Sequence, residues 1–250
     1  MEVLQPTSAR APELHERLNL IGPDVATVVA YGKILPAPLL RVPRLGFVNL
    51  HFSLLPAYRG AAPVQRALMD GVEETGVTIM VLTEGMDEGP ILAASATPVG
   101  PEETAGSLGS RLAHEGAGLL VETLEGYASG SIEPVPQDHE AATYAAKITG
   151  EEARIEWAAP AARIHDHVRG LNPAPGAWTT WRGERLKVLA TRQGRSGGGR
   201  PGELVPGSDL VVQTGYGALE LIEVQPAGKR RMGGADLARG LRPAPGESME

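Results

Sequence analysis

The stretch DVATVVAYG, residues 24–32, is apolar and β-branched without alternation, and it closes on a glycine-bearing turn. A strand with one solvated face alternates apolar and polar side chains. An unbroken apolar run belongs to a strand covered on both faces, as in parallel sheets. GFVNLHF (46–52) reads as the next strand, and LPAPLLRV between the two suits a short helix. Strand, short helix, strand is the pattern of a right-handed parallel crossover. PVQRALMDG then opens with proline at a helix start and stops at Gly71. TGVTIMVLTEG and PILAASATPV are further strands with a tight acidic connection, and Leu108, Leu112, Leu119, Leu120 and Leu124 mark one long helix. Residues 1–131 are therefore expected to form an open, mostly parallel, Rossmann-like α/β sheet.

The texture changes at SIEPVPQDHEAATYAAK, which has proline and charge but no sustained period, and 132–150 is expected to be a linker. Beyond it, PAARIHDHVRGL is one helix and AWTTWRGERLKVLAT is a hairpin turning at Arg182–Gly183. SGGGRPG is a flexible loop, and DLVVQTGYGALELIEVQ is a second hairpin. Short strands with one helix predict a small β-barrel of oligonucleotide-binding type over 151–250.

A length of 250 residues accommodates these two domains. The opening MEVLQPTSARAP has no cationic start followed by an apolar run, and no stretch approaches a membrane span, so a cytoplasmic protein is expected. The lack of cysteine removes disulfides, thiolate metal sites and a cysteine nucleophile. A net charge of −7 argues against a general nucleic-acid binder. Its distribution is uneven: residues 1–150 carry 9 Lys and Arg against 18 Asp and Glu, and residues 151–250 carry 14 against 12. The second half is the one suited to an anionic partner.

Within FVNLHF, alternation puts Phe47, Asn49 and His51 on one face near the strand's carboxyl end, the edge where ligands sit in open α/β sheets. An amide beside an imidazole suits acyl transfer, the amide stabilising an oxyanion and the imidazole moving a proton. The same pair would also suit a buried polar cluster hydrogen-bonded to loops. TEGMDEGP (83–90) supplies Glu84, Asp87 and Glu88 after a strand, and one of these carboxylates beside His51 would orient the ring. Ser53 reads as a loop or capping residue, and no serine nucleophile is needed if the substrate's own amine attacks. No metal is called for. His165 and His167 are two apart on a helix and share no face, and His114 and His139 lack ligand-spaced partners.

NLHFSLLPAYRGAAPVQRA and ETGVTIMVLTEGMDEGPIL resemble the two signature segments of the 10-formyltetrahydrofolate-dependent formyltransferases. The resemblance implies Asn49, His51 and Asp87 as the catalytic trio. It implies a folate pocket at Tyr31, Gly32, Ile34 and Leu35, with Ser53, Leu54, Leu55 and Pro56 beside it. Ile34 and Leu35 are equally suited to plain core packing. AKITGEEARIEWAAPAARIHDHVRGLNPAPGAWTTWRGERLKV and LIEVQPAGKRRMGGADLARG resemble the carboxy-terminal domain of the methionyl-tRNA formyltransferases. That resemblance implies formyl transfer to the α-amine of initiator methionyl-tRNA, as a monomer, with 10-formyltetrahydrofolate as co-substrate. Candidate RNA contacts are Arg59, Lys147, Arg154, Arg169, Arg182, Lys187, Lys229, Arg230 and Arg231. A nucleotide-linked amino sugar as acceptor, or a non-catalytic RNA- or folate-binding remnant, are the alternatives. Relatives begin earlier, with about two further strand–helix units, and a misassigned start is the expected reason that this sequence opens near VLQP. Without those units the sheet is expected to expose apolar faces.

Overall fold

The structure is a computed structural model that describes residues 3–207, 209–244 and 246–250. It divides into two compact units, one drawn from residues up to 63, 74–98 and 109–147, the other from 64–73, 99–108 and 148–250.

In chain order the first half comprises α1 (Pro12–Ile21), β1 (Ala26–Val29), α2 (Ala37–Leu40), β2 (Phe47–His51), β3 (Arg59–Gly60) and α3 (Pro63–Asp70), then β4 (Glu74–Val81), β5 (Ile91–Pro98), α4 (Ala105–Ser129) and β6 (Tyr144–Ala145). The open sheet of the first unit has the order β1-β2-β4-β5. The expected crossover is present: β1 and β2 pair in parallel, Ala26 opposite Phe47 and Val29 opposite Leu50. The β2–β4 and β4–β5 ladders are antiparallel. Every residue of β2 is buried, including the polar Asn49 and His51. Its Leu50 face meets α4, where a Cβ on Gly116 would lie 2.6 Å from Leu50 Cδ1, so glycine lets the helix approach without moving that side chain. The opposite face begins in a cluster of Phe47 with Leu35 and Leu39, flanked by Leu14 and Leu18 of α1. Further along that face come Asn49 and His51.

β1 is one of the sheet's two outer strands, and its residues alternate between half-buried and exposed instead of being covered on both faces as its apolar run predicts. Val29 is 45% exposed and Leu20 of α1 is 75% exposed, the apolar exposure expected of this side. Of residues 132–150, read from sequence as linker, 132–147 fall in the first unit and 148–150 in the second. Val135 bridges Ile91 of β5, and β6 pairs in parallel with β3, Arg59 opposite Tyr144.

The second unit is built on α5 (Ala161–Leu171), β7 (Ala177–Trp181), β8 (Glu184–Gln193), β9 (Leu204–Val205), β10 (Val211–Gln213), β11 (Ala218–Pro226), β12 (Met232–Gly233) and α6 (Gly234–Leu241). Its antiparallel sheet runs β7-β8-β11-β10-β9, with β12 on β11. The chain's last residues join the two outer strands. Glu250 exchanges backbone hydrogen bonds of 2.8 and 2.9 Å with Thr180 of β7. Met249 N–H donates to the Gly202 carbonyl, and Leu204 N–H of β9 donates to the Glu247 carbonyl, each at 2.8 Å. The tail thereby closes the ladder between β7 and β9, the device by which small barrels avoid strand addition at those edges. Inside lie Trp157, Trp181, Val188, Val212, Leu219, Leu221 and Met249, closed over by Ile164, Val168 and Leu171 of α5.

Candidate active site

β2 carries Asn49 and His51 on one face because strand side chains alternate, and both are nearly buried, at 9% and 6% exposure. The chain leaves His51 and returns to it: His51 Nε2 lies 3.0 Å from the Tyr58 carbonyl oxygen. A carbonyl only accepts, so that nitrogen carries the proton. The other ring nitrogen, Nδ1, faces Asp87 Oδ2 at 3.7 Å. That separation is too long for a direct hydrogen bond and is ion-pair range once Nδ1 is also protonated.

Asp87 reaches this position by an indirect route. β4 runs antiparallel to β2, with Val81 opposite Val48, and Leu82 N–H donates to the Phe47 carbonyl at 2.7 Å. The 82–90 loop therefore starts at the amino end of β2 and folds back toward His51. Two devices hold it there. The Gly60 amide donates to Asp87 Oδ2 at 2.8 Å. That amide's glycine has φ +124°, and a Cβ would come 2.7 Å from the Ala145 carbonyl oxygen, so the β3–β6 pairing needs glycine there. Asp87 itself sits at φ +50°, a left-handed conformation that Asp tolerates better than most residues.

The second device is Gln137, 6% exposed, whose Nε2 donates to the Asp87 and Gly89 carbonyls at 2.9 and 2.7 Å. Its Oε1 accepts from Arg59 Nε and Nη2 at 3.1 and 2.7 Å, and Arg59 Nη1 lies 3.4 Å from His139 Nδ1. Sequence reasoning placed Gln137 in a linker and missed it, along with Tyr58. Nothing periodic marks either residue; the only local signal is a proline-flanked amide next to an acidic stretch.

The turn after β2 is fixed by Ser53, fully buried, whose Oγ donates to the Ala57 carbonyl at 2.6 Å. Thr78 Oγ1 donates to the Ser53 carbonyl and accepts from the Leu55 amide. Ser53 thus has the loop-fixing contacts expected of its type. Because β1 and β2 are parallel, the 30–36 loop leaves the same sheet edge as His51. On that loop Tyr31 and Gly32 are exposed and Ile34 is 75% exposed. Leu35 and Leu55 are buried, Leu35 in the core beside Phe47, while Leu54 and Pro56 are half-buried.

The cationic candidates divide sharply. Arg59 is 2% exposed and Arg169 8%; Arg59 is committed to Gln137, and Arg169 to Asp166 at 2.7 Å and the Gly100 carbonyl. Neither guanidinium is placed to meet a phosphate, which corrects their expected role as RNA contacts. Arg182 donates through Nε and Nη2 to Glu247, and that hydrogen-bonded pairing pulls the Glu247 carboxyl down to about 2. Lys187 donates to the Pro175 carbonyl at 2.9 Å. Lys147, Arg154, Lys229, Arg230 and Arg231 are exposed. Arg154 and Arg185 both lie over the Trp178 ring, at 5.8 and 4.1 Å from its centroid. Arg185 was not among the sequence candidates.

Residues 1–124 match the family described as "Formyl transferase", and residues 147–242 match "Formyl transferase, C-terminal domain". The chain is 52% identical over 99% of its length to a methionyl-tRNA formyltransferase of Streptomyces coelicolor, of which it covers 80%. It is 49% identical to the enzyme of that name from a Methylobacterium, again covering 80% of it. Among solved structures, HypX from Aquifex aeolicus in complex with tetrahydrofolic acid superposes with a TM-score of 0.71 at 18% identity. That match covers 95% of this chain and 42% of the longer protein. A sugar 3N-formyl transferase, WlaRD, gives 0.65 at 16% identity over 85% of this chain and 77% of its own. At such identities the structural likenesses speak for the fold.

Proposed function

The chain belongs to the methionyl-tRNA formyltransferase family, and from that membership we propose how its residues move a formyl group from 10-formyltetrahydrofolate to the α-amine of initiator methionyl-tRNA. The amine nitrogen attacks the formyl carbon and forms the new C–N bond. The carbonyl oxygen takes up negative charge in a tetrahedral intermediate. The bond from carbon to folate N10 then breaks, the amine loses a proton, and N10 gains one.

Asn49 donates its amide to the developing oxyanion, and Nδ1 of His51, which at 3.7 Å makes no direct hydrogen bond to Asp87, adds a second donor when it carries a proton. His51 passes a proton toward the departing N10 and recovers one from the amine, its ring turned by the Tyr58 carbonyl and faced by Asp87. The carboxylate stabilises the imidazolium, and Tyr58 and Asp87 together leave the ring little freedom. The observation that carries this assignment is the His51–Asp87 pair at 3.7 Å on the face that also bears Asn49. A merely structural buried pair would not require an amide, an imidazole and a carboxylate to converge at the carboxyl end of a strand.

The folate ring enters from the 30–36 loop, where exposed Tyr31 and Ile34 supply apolar surface and the backbone around Gly32 supplies polar edges. Ser53, Leu54, Leu55 and Pro56 shape the wall on the β2 side, Ser53 and Leu55 from beneath. For tRNA we assign phosphate contacts to exposed Lys147, Arg154, Lys229, Arg230 and Arg231, and not to Arg182, whose guanidinium is taken by Glu247, or Lys187, which is tied to the Pro175 carbonyl.

Incubation with 10-formyltetrahydrofolate and charged initiator methionyl-tRNA should yield formyl-methionine on the tRNA, and uncharged tRNA or an amino-sugar nucleotide should yield no formylated product. Transfer to the amino sugar in preference to methionyl-tRNA would overturn the acceptor assignment.

A further inference from the structure

Gln137 makes its hydrogen bonds to two segments that both bear on the His51–Asp87 pair. Its Nε2 clasps the carbonyls of Asp87 and Gly89, and its Oε1 takes two N–H groups of Arg59, the residue before Gly60. The amide can sit only this way round. A guanidinium only donates and a carbonyl only accepts, so a flipped amide would set donor against donor and acceptor against acceptor. Gly60 in turn donates to the Asp87 carboxylate. The loop that presents Asp87 is thereby gripped at two points, at its carbonyls by Gln137 and at its carboxylate by Gly60. Gln137 links the chain carrying one grip to the chain carrying the other.

Burial sharpens the point. Arg59 is 2% exposed; its Nε and Nη2 donate to Gln137 Oε1, and its Nη1 lies 3.4 Å from His139 Nδ1. A buried guanidinium that loses its acceptor is left with unpaired N–H groups, so Arg59 and Gln137 hold each other in place. Asp87 also occupies a left-handed backbone conformation, which persists only where surrounding contacts over-determine it.

We infer that Gln137 is a positioning residue for formyl transfer, fixing the Asp87 carboxylate against His51 without touching either substrate. This rests on the proposed roles of His51 and Asp87. Loss of the grip lets the 82–90 loop relax, the carboxylate drifts from Nδ1, and the imidazole loses its charge partner. A displacement on the order of 1 Å at such a site costs about 100-fold in rate.

The test is a double-mutant cycle measured as kcat and KM for both substrates, with melting by circular dichroism. Gln137→Glu keeps acceptors for Arg59 and removes the donor to the Asp87 and Gly89 carbonyls. Gln137→Met removes both at similar volume and guards against a single variant that fails to fold. Each folded variant should lose roughly 100-fold in kcat with KM changed less than about threefold. The pH profile of kcat should change in the same sense as in Asp87→Asn. Asp87→Asn combined with Gln137→Glu should be no slower than Asp87→Asn alone, because one residue acts through the other. Folded Gln137 variants with kcat within about twofold of the parent, or losses that multiply in the double variant, overturn the inference. If Asp87→Asn or His51→Ala alone retains full rate, the underlying reading of the pair fails first, and the two failures are told apart by that arm.

Discussion

Met249→Ala tests whether the last residues of the chain are part of the barrel or lie loosely on it. Met249 is 3% exposed and sits in one cluster with Trp157 and Trp181. Truncation removes the three outer atoms of a buried side chain and leaves a cavity, a change that costs 2–5 kcal/mol across comparable core sites, of order. Methionine is unbranched and flexible and its neighbours can partly repack, so the lower part of that range, about 2–3 kcal/mol, is expected. That is a factor of about 30–150 in the unfolding equilibrium. All three tryptophans belong to the second unit, so their fluorescence in a urea titration reports this unit directly. Ser248→Ala, at an exposed neighbour, should stay within about 0.5 kcal/mol of the parent. A Met249→Ala midpoint indistinguishable from that control would refute the closure of β7 and β9 by the tail.

His51→Ala and Asp87→Asn should each lower kcat by roughly 100- to 10,000-fold in the formylation assay while melting as the parent does, and parent-like turnover in either would remove that residue from the chemistry. Glu247 is held at about 2 by Arg182, well below an ordinary 4.5, so its pairing stabilises the fold fully above about 4.5 and fades as pH falls toward 2. The parent should therefore be more stable than Glu247→Gln at pH 7, and the gap should close on acidification; a gap undiminished at about pH 2 would contradict the pairing. Reversing Arg230 and Arg231 to Glu should weaken tRNA binding and flatten its salt dependence, whereas Arg192→Ala should alter neither, since Glu220 already takes that guanidinium at 2.8 and 2.9 Å. Equal losses from both changes would count against a phosphate-contacting role for the pair.

Elements with a period or a strong punctuation mark were legible in the sequence. The parallel crossover from β1 to β2, the proline start of α3, the leucine spacing of α4 and the turn at Arg182–Gly183 all stand where the sequence puts them. What escaped was set by partners rather than by local pattern. An apolar run cannot say whether its neighbour lies parallel, so the antiparallel β2–β4 ladder, and the fold-back of the Asp87 loop that it forces, were not readable. β3 and β6 are two residues each, too short for any alternation to register. GESME at residues 246–250 has three polar side chains, a glycine and one isolated methionine, too little for any period to register, although Met249 is a core residue. Asn49 and His51 stood out for the opposite reason: polar side chains at buried strand positions contradict the local pattern, and such contradictions mark sites.

The fold-back of the 82–90 loop has a consequence in time as well as in space. The bonds that shape the site join Gly60 to Asp87, Arg59 to Gln137 and Tyr58 to Thr143, across 27, 78 and 85 residues of chain. Contacts this remote in sequence carry the largest loop-closure cost and form late, after the local β4–β5 hairpin and the helices. Catalytic competence is thus a property of the finished first unit. On refolding, far-UV signal should return before formyl transfer does, and the lag between them measures how long residues 137–145 take to find their place.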